Sequence, residues 1–384
     1  MWKVLIGVGL FAILAIGYLS HVIPPTTDET LRADTDYVRF LGSYAIATEE
    51  WAFETTPVGE ISGLAYDPQQ GIYYAISDDR GDTGTPGRLY TLEIKLDEDS
   101  IQAVEVLGVT TLDSDEKLEG IQPYAAESID AEEVVLTPDG KLIVSSERDL
   151  ENRPWIRVFS LEGSLLGEIP IPENFLPKEG QGVRKNLAFE AMTLTPDGST
   201  LYAANEQALE QDGPLSTTDH GTTVRILQYD LLAETPTVVA EYPYVTEPIF
   251  TAPIDGDYAD NGVPAMLYIG HILPKYDLLT IERAYSSGIG NDIRLFGVRL
   301  DGTDDIKDLN ALPSPFSGKA AEKELLLRIS ALTERSDVPV QPDNIEAITF
   351  GPKLPNGNQT LLLASDNNFN DTQKNLFLAF EIIP

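Results

Sequence analysis

Apolar and polar positions alternate along most of this chain in short runs, broken by turn triplets and carrying almost no helical period. One pattern recurs: a carboxylate, an alternating apolar run, a Pro-containing turn with Asp or Asn and Gly, a second β run, then another carboxylate. Its clearest copies are EEVVLTPDGKLIVSSER from Glu132 and EAMTLTPDGSTLYAANEQ from Glu190. A third, EAITFGPKLPNGNQTLLLASDNN, starts at Glu346, and in all three the glutamate stands six residues before a proline. SGLAYDPQQGIYYAISDDR is a further copy, with Ser62 in place of the glutamate, and YDLLTIERAY, with Glu282, is a fragment lacking the proline. Each copy predicts a hairpin. Period-two alternation makes the strands, proline fixes φ in the turn and glycine supplies positive φ. Between the copies lie further alternating runs: RLYTLEIKL, WIRVFSL, RILQYDL, DIRLFGVRL and NLFLAFEII. The best helical pattern, AAEKELLLRISA from Ala320, reads equally well as a strand.

Strands recurring in groups of about four predict an all-β fold, a β-propeller. About 340 residues at roughly 40–55 per blade allow six to eight blades, and six is the expectation. The run NLFLAFEII is expected to close the ring by pairing with a strand near Tyr37–Thr48.

The N-terminus differs from the rest. Residues 4–23, VLIGVGLFAILAIGYLSHVI, are apolar, follow a single lysine and precede the polar stretch PPTTDET. That length suits a hydrophobic helix serving as a signal peptide or membrane anchor. The predicted organisation is therefore residues 1–24 as signal or anchor, 25–41 as linker and 42–384 as the propeller. The location is secreted, periplasmic or tethered to the outer face of a membrane.

Charge narrows the chemistry. There are 26 Lys and Arg against 62 Asp and Glu, a formal net charge of −36, and no cysteine. A disulfide scaffold, a thiolate zinc site and a cysteine nucleophile are excluded. Nucleic acid and anionic lipid are poor partners for such a body, so contact with membrane is expected only through the N-terminal segment. The expected partner is a small molecule, and the expected state a monomer.

Turn chemistry accounts for the Pro-Asp-Gly triplets but not for carboxylates inside β runs, where Asp and Glu are depleted. The leading position of the repeat holds Ser62, Glu132, Glu190 and Glu346. The trailing position holds Asp78 with Asp79, Glu147, Glu206, Glu282 and Asp366. Such groups converging at the end of a propeller channel repel one another unless cations intervene. Hard oxygen donors suit calcium, and Arg80, Arg148, Arg184 and Arg283 nearby suit a phosphate or carboxylate. The sequence thus assigns Glu190 and Glu206 to catalysis. It assigns Asp78, Glu132, Glu147, Glu282, Glu346 and Asp366 to a calcium ion, and the four arginines to the substrate. A serine triad is disfavoured. No G-x-S-x-G pentad occurs, and the three histidines are His21 in the apolar segment, His220 in a polar loop and His271. Ion pairs that only fix blade register are the competing explanation of the same charges.

EISGLAYDPQQGIYYAISDDR, GVRKNLAFEAMTLTPDGSTLYAANEQALEQDGP, IERAYSSGIGNDIRLF and DNIEAITFGP with LLLASDNNF resemble the phytase-like family, described as having esterase-like activity of phytase. The resemblance runs from about Gly59 to the end of the chain, with its motifs in order. It implies an extracytoplasmic, propeller-like protein and hydrolysis of phosphate or other esters. Similarity to calcium-dependent propeller phytases implies a site at the channel mouth, where calcium offsets carboxylates while water attacks. No individual ligand is carried over from them. A non-catalytic binding propeller and a calcium-dependent esterase or lactonase without a triad are the alternatives.

Overall fold

The structure, a computed structural model, describes residues 35–115, 117–118, 120–334 and 343–384. The expected N-terminal helix, at residues 4–23, lies outside the described residues. Among those described, no helix is long and apolar enough to cross a membrane.

The chain starts with an edge strand, β1 (Val38–Ala47), and a small two-stranded hairpin, β2 (Ala52–Phe53) and β3 (Thr56–Pro57). Four sheets of consecutive strands follow. The first holds β4 (Ile61–Asp67), β5 (Ile72–Ser77), β6 (Arg88–Leu96) and β7 (Ile101–Thr111). The second holds β8 (Ala131–Leu136), β9 (Lys141–Ser146), β10 (Trp155–Ser160) and β11 (Leu165–Ile169). The third holds β12 (Phe189–Leu194), β13 (Thr200–Asn205), β14 (Thr223–Asp230) and β15 (Thr237–Val245). The fourth holds β16 (Ala259–Tyr268), β17 (Leu278–Ser286), β18 (Gly290–Arg299) and β19 (Glu322–Arg328). The last blade has β20 (Ile345–Lys353), β21 (Gln359–Ser365) and β22 (Lys374–Ile382), and β1 completes it as the fourth strand.

The propeller therefore has five blades, not six. Long connections, such as residues 112–130 and 300–321, stretch each repeat beyond the roughly 40–55 residues of a compact blade. The ring closes as the alternation of NLFLAFEII implied: β22 pairs antiparallel with β1 from Val38 opposite Ile382 to Ala47 opposite Lys374. The ambiguous Ala320 segment is strand β19 followed by a short 3-10 turn.

Each Pro-Asp-Gly turn is built as its residues require. In the second blade the Gly140 amide donates to the Thr137 carbonyl (3.0 Å) with Gly140 at φ +78°. The third blade repeats this with Gly198 and Thr195 (2.8 Å, φ +72°). Five apolar clusters fill the gaps between successive blades, so the core is a ring of interfaces around the axis. The innermost strands meet around that axis: β4 packs on β8, β8 on β12, β12 on β16, β16 on β20 and β20 on β4. All five run the same way, so the start of every inner strand lies at one end of the propeller.

Candidate functional site

At that end the repeat is more regular than its sequence. In each blade the amide of the residue after the second strand donates to the carbonyl of the residue preceding the first. The pairs are Asp78 to Glu60 (3.1 Å), Glu147 to Asp130 (2.9 Å), Glu206 to Ala188 (2.8 Å), Ser287 to Tyr258 (3.0 Å) and Asp366 to Asn344 (3.0 Å). These five bonds fix equivalent positions. The trailing positions are Asp78, Glu147, Glu206, Ser287 and Asp366. Two residues beyond each acceptor stand the leading positions: Ser62, Glu132, Glu190, Asp260 and Glu346.

Bulges fall at four of the five leading positions, while Asp260 stays in the ladder opposite Tyr285. β4 passes from Ile61 opposite Ser77 to Gly63 opposite Ile76, leaving Ser62 unpaired. Glu190 and Glu346 are passed over in the same way in β12 and β20. In β8 the ladder jumps from Ala131 to Val134, so Glu132 and Glu133 are both passed over. A bulge breaks the period-two alternation and redirects a side chain, here toward the axis.

The result is a cavity of about 340 Å³ lined, among the described residues, by eleven carboxylates and three arginines. The carboxylates are Glu60, Asp78, Asp82, Asp130, Glu132, Glu147, Glu190, Glu206, Asp260, Glu346 and Asp366, and the arginines are Arg80, Arg148 and Arg283. Asn186, Asn344, Asn368 and Tyr258 complete most of the rim. Four lining residues hold the left-handed backbone conformation that non-glycine residues rarely adopt: Glu60 (φ +50°), Asn186 (φ +56°), Asn344 (φ +44°) and Asn368 (φ +48°). Strain of this kind concentrates at functional sites.

The arginines are largely committed. Arg148 pairs with Asp130 at 2.6 Å and also donates to Asn186. Arg283 bridges Glu206 (3.1 Å) and Glu346, and donates to Asn344 Oδ1 at 2.8 Å. Burial alone would weaken its hold on a proton, but Glu206, Glu190 and Asp260 outweigh that and keep it charged. Arg80 is the looser one, 3.9 Å from Asp130 and 3.8 Å from Asp82, with a third of its side chain exposed.

Three cations cannot offset eleven acids, and the carboxyls hold protons instead. Burial pushes Glu60 up to about 8, helped by the charges of Asp366 and Asp79. Burial and Asp130 push Glu147 up to about 8. Glu206 is raised by burial to about 7 even though Arg283 pulls it down. Burial takes Asp130 and Asp366 to about 6. Asp78, Glu132 and Glu190 are raised well above the ordinary carboxylate range, again chiefly by burial and then by neighbouring acids. Glu190 and Glu206 are joined by a hydrogen bond that raises Glu190 and lowers Glu206. Glu190 is thus held further toward its neutral form than Glu206, the arrangement of two acids that compete for one proton.

The donor set fits a divalent cation. Oxygens of Asp130, Glu132 and Glu147 lie within 4.8 Å of one another. Asp78 Oδ1 is buried with no hydrogen-bond partner among the described residues, and an orphaned carboxylate oxygen is costly unless a cation or water meets it. Carboxylate and amide oxygens are the ligands calcium takes.

Of the residues chosen from sequence, Asp78, Arg80, Glu132, Glu147, Arg148, Glu190, Glu206, Arg283, Glu346 and Asp366 meet in this cavity. Two do not. Glu282 lies within β17, five residues before the true trailing position, Ser287. Its carboxylate is held by Tyr244 (2.7 Å), Asn261 (3.1 Å), the Glu247 amide (2.8 Å) and Lys323. Arg184 is tied to the carbonyls of Ala208 (3.0 Å) and Gly213 (2.9 Å), where it braces a loop. Ser62 is buried and does not line the cavity. Sequence reading missed Glu60, Asp130, Asp260 and Asn344. Three of them stand two residues before a leading position, and Asp260 is itself the leading residue of a blade without the motif. His220 is an exposed loop residue whose Nδ1 lies 3.1 Å from the Gly221 carbonyl, and His271 lies at the other end of the channel.

A family model described as phytase-like, esterase-like activity of phytase, matches residues 56–369. An uncharacterized secreted protein of Arthroderma benhamiae is 28% identical over 186 residues, which cover 42% of this chain and 35% of that one. The match thus spans about a third of that relative's length. Solved structures are similar only distantly. The Dos1 propeller is 10% identical with a TM-score of 0.32, covering 86% of this chain and 68% of its own. The soluble aldose sugar dehydrogenase of Escherichia coli is 10% identical with a TM-score of 0.38, covering 89% and 98%.

Proposed function

The chain belongs to the phytase-like family, and from that membership we propose that its acidic mouth is a calcium-dependent site for hydrolysis of phosphate esters, working outside the cytoplasm. The observation that carries this is the excess of eleven carboxylates over three arginines in one buried cavity, with Asp78 Oδ1 left unpaired. Asp78, Asp130, Glu132 and Glu147 would hold the cation. When bound, calcium would offset the carboxylates, draw a phosphoryl oxygen and lower the pKa of water. The remaining chemistry belongs to the chain. Glu206 takes the proton of the attacking water, and Glu190, held further toward its neutral form, gives its own to the leaving oxygen. Arg80, the least committed arginine, meets the substrate anion. The name of the Arthroderma relative and the apolar residues 4–23 support an exported or membrane-tethered protein. The expected state is a monomer acting on a small molecule.

The commitment of Arg148 and Arg283 to carboxylates favours a second reading, in which the substrate is a neutral ester or lactone turned over by the same acids. Phosphate release from phytate and from a small aryl phosphate, in calcium and then in excess chelator, separates the two. Calcium-dependent release supports the first, and lactone turnover without phosphate release selects the second. Neither activity from well-folded protein makes the mouth a cation-binding module.

A further inference from the structure

The opposite end of the same five strands holds a second cavity, of about 760 Å³. Its character is reversed. Leu64, Val134, Leu136, Met192, Leu194, Leu267, Ile348 and Phe350 give it apolar walls. One wall is a ladder of rings. Tyr202 stacks on Tyr268 (6.3 Å, 5°), Tyr268 on His271 (5.9 Å, 2°), and His271 meets Phe350 edge-on (5.6 Å, 85°). Burial and the nearby Lys353 lower the His271 pKa, so this wall is uncharged at neutral pH.

Three carboxyls interrupt the apolar lining. Asp67 is held by the Gln69 and Gln70 amides and the Gln70 side chain, Asp139 pairs with Lys141, and Glu133 is the one with an unpartnered oxygen. Glu133 is only 1% exposed, and it lines this cavity while its neighbour Glu132 lines the acidic mouth. Its Oε1 accepts from the Val134 amide at 2.9 Å, and its Oε2 has no partner among the described residues. No cation pairs with it among those residues. The unpartnered Oε2 is free to accept a hydrogen bond from a ligand in the cavity. A cavity of this size with apolar walls and a small number of polar groups is the usual form of a small-molecule site.

The chain joins the propeller on this side. Tyr37 packs edge-on against Tyr276 (5.8 Å, 80°) and accepts from Lys275 Nζ (3.1 Å). Both belong to the turn after β16 that carries His271. Tyr37, near the start of the described chain, therefore joins the fold on the face where the apolar cavity opens, and the acidic mouth lies at the other end of the inner strands.

The geometry points to this cavity as a binding site for a neutral, ring-bearing apolar molecule of the kind that partitions into membranes, with one hydroxyl or amide directed at Glu133. This site is independent of the hydrolytic mouth and does not rest on its chemistry. The test is titration of the full chain with the neutral dye Nile red, followed by displacement with 1-naphthol and with 1-methoxynaphthalene. The expected result is saturable binding near one dye per chain, weakened about tenfold or more by Leu194→Trp and by Thr349→Phe, which fill the cavity from two different blades. 1-Naphthol should displace the dye several-fold better than its methyl ether, and Glu133→Leu should erase that preference. Each of the three variants should keep a single cooperative thermal transition, which reports that it is folded. No saturable dye response, or one that survives both fillings, overturns the proposal; so does a naphthol preference that persists without Glu133.

Discussion

Glu132 and Glu133 are adjacent in sequence and belong to opposite ends of the molecule. Glu132 joins a cavity walled mostly by charge, and Glu133 faces one walled largely by apolar side chains, with one of its oxygens unpartnered. The same five strands make both. Where they begin, bulges break the alternation and turn carboxylates toward the axis. Where they end, alternation presents leucine, methionine and aromatic rings. A propeller thus separates a polar reaction site from an apolar one by the length of its inner strands, and the register break decides which residues face which.

The largest expected effect removes the frame that both ends share. Deleting residues 375–384 takes out the strand between β21 and β1, and no cooperative thermal transition should remain. A normal melt for that truncation contradicts the closure of the ring.

A smaller cut separates the two ends. Glu206→Gln should lower phosphate release by about a hundredfold or more, the usual scale of a lost acid–base group. Glu133→Gln should leave it within about twofold, because Glu133 touches only the other cavity. Equal losses in both variants would mean that the two cavities act as one.

The pH dependence of stability sharpens the contrast further. Glu60, Glu147, Glu206, Asp130 and Asp366 have folded pKa values of about 8, 8, 7, 6 and 6, all above their unfolded values. The folded state therefore keeps protons that the unfolded state has lost. Their favourable contribution is complete below the unfolded values and disappears as pH rises through about 6 to 8. Carboxyls lowered by partners, such as Asp292 and Glu381, are already ionised in that window in both states. Without metal, the melting temperature should fall by several degrees between pH 5.5 and 8.5, about 2–4 °C for each kcal/mol lost. Calcium should flatten the slope. A flat profile without calcium contradicts the crowding of acids at the mouth.

The smallest effects concern the arginines. Arg80→Ala should raise KM several-fold with little change in kcat, the signature of lost ground-state binding. Arg184→Ala should leave both unchanged and cost roughly 1 kcal/mol of stability, from the loss of its bonds to two carbonyls. The opposite pattern would return Arg184 to the substrate.

Much of this was legible in the sequence, for local reasons. Pro-containing turns that end in glycine, with their flanking alternation, specify hairpins, and four of the five blades announce themselves that way. Blade four does not. β16 reads ADNGVPAMLY, with a proline inside the strand and no turn triplet after it, so nothing in the pattern marks where its second strand ends, and Glu282 stands in the trailing place five residues early. That shift put Glu282 in place of Ser287 and hid Asp260. The blade count failed because loop length carries no strand pattern. Arg184 failed because proximity in sequence to Glu190 says nothing of direction once the intervening loop turns. Glu60, Asp130 and Asn344 acquire meaning only when the ring brings their blades together.

The most direct measurement is calorimetric titration of the metal-free full chain with calcium at pH 7, in two buffers of different ionisation enthalpy. A cation entering between carboxyls that hold protons must displace them. The expected result is saturable binding with release of about one or two protons per chain, abolished by replacing Glu132 and Glu147 with glutamine. Binding without proton release, or no binding at all by folded protein, would contradict a metal-dependent mouth.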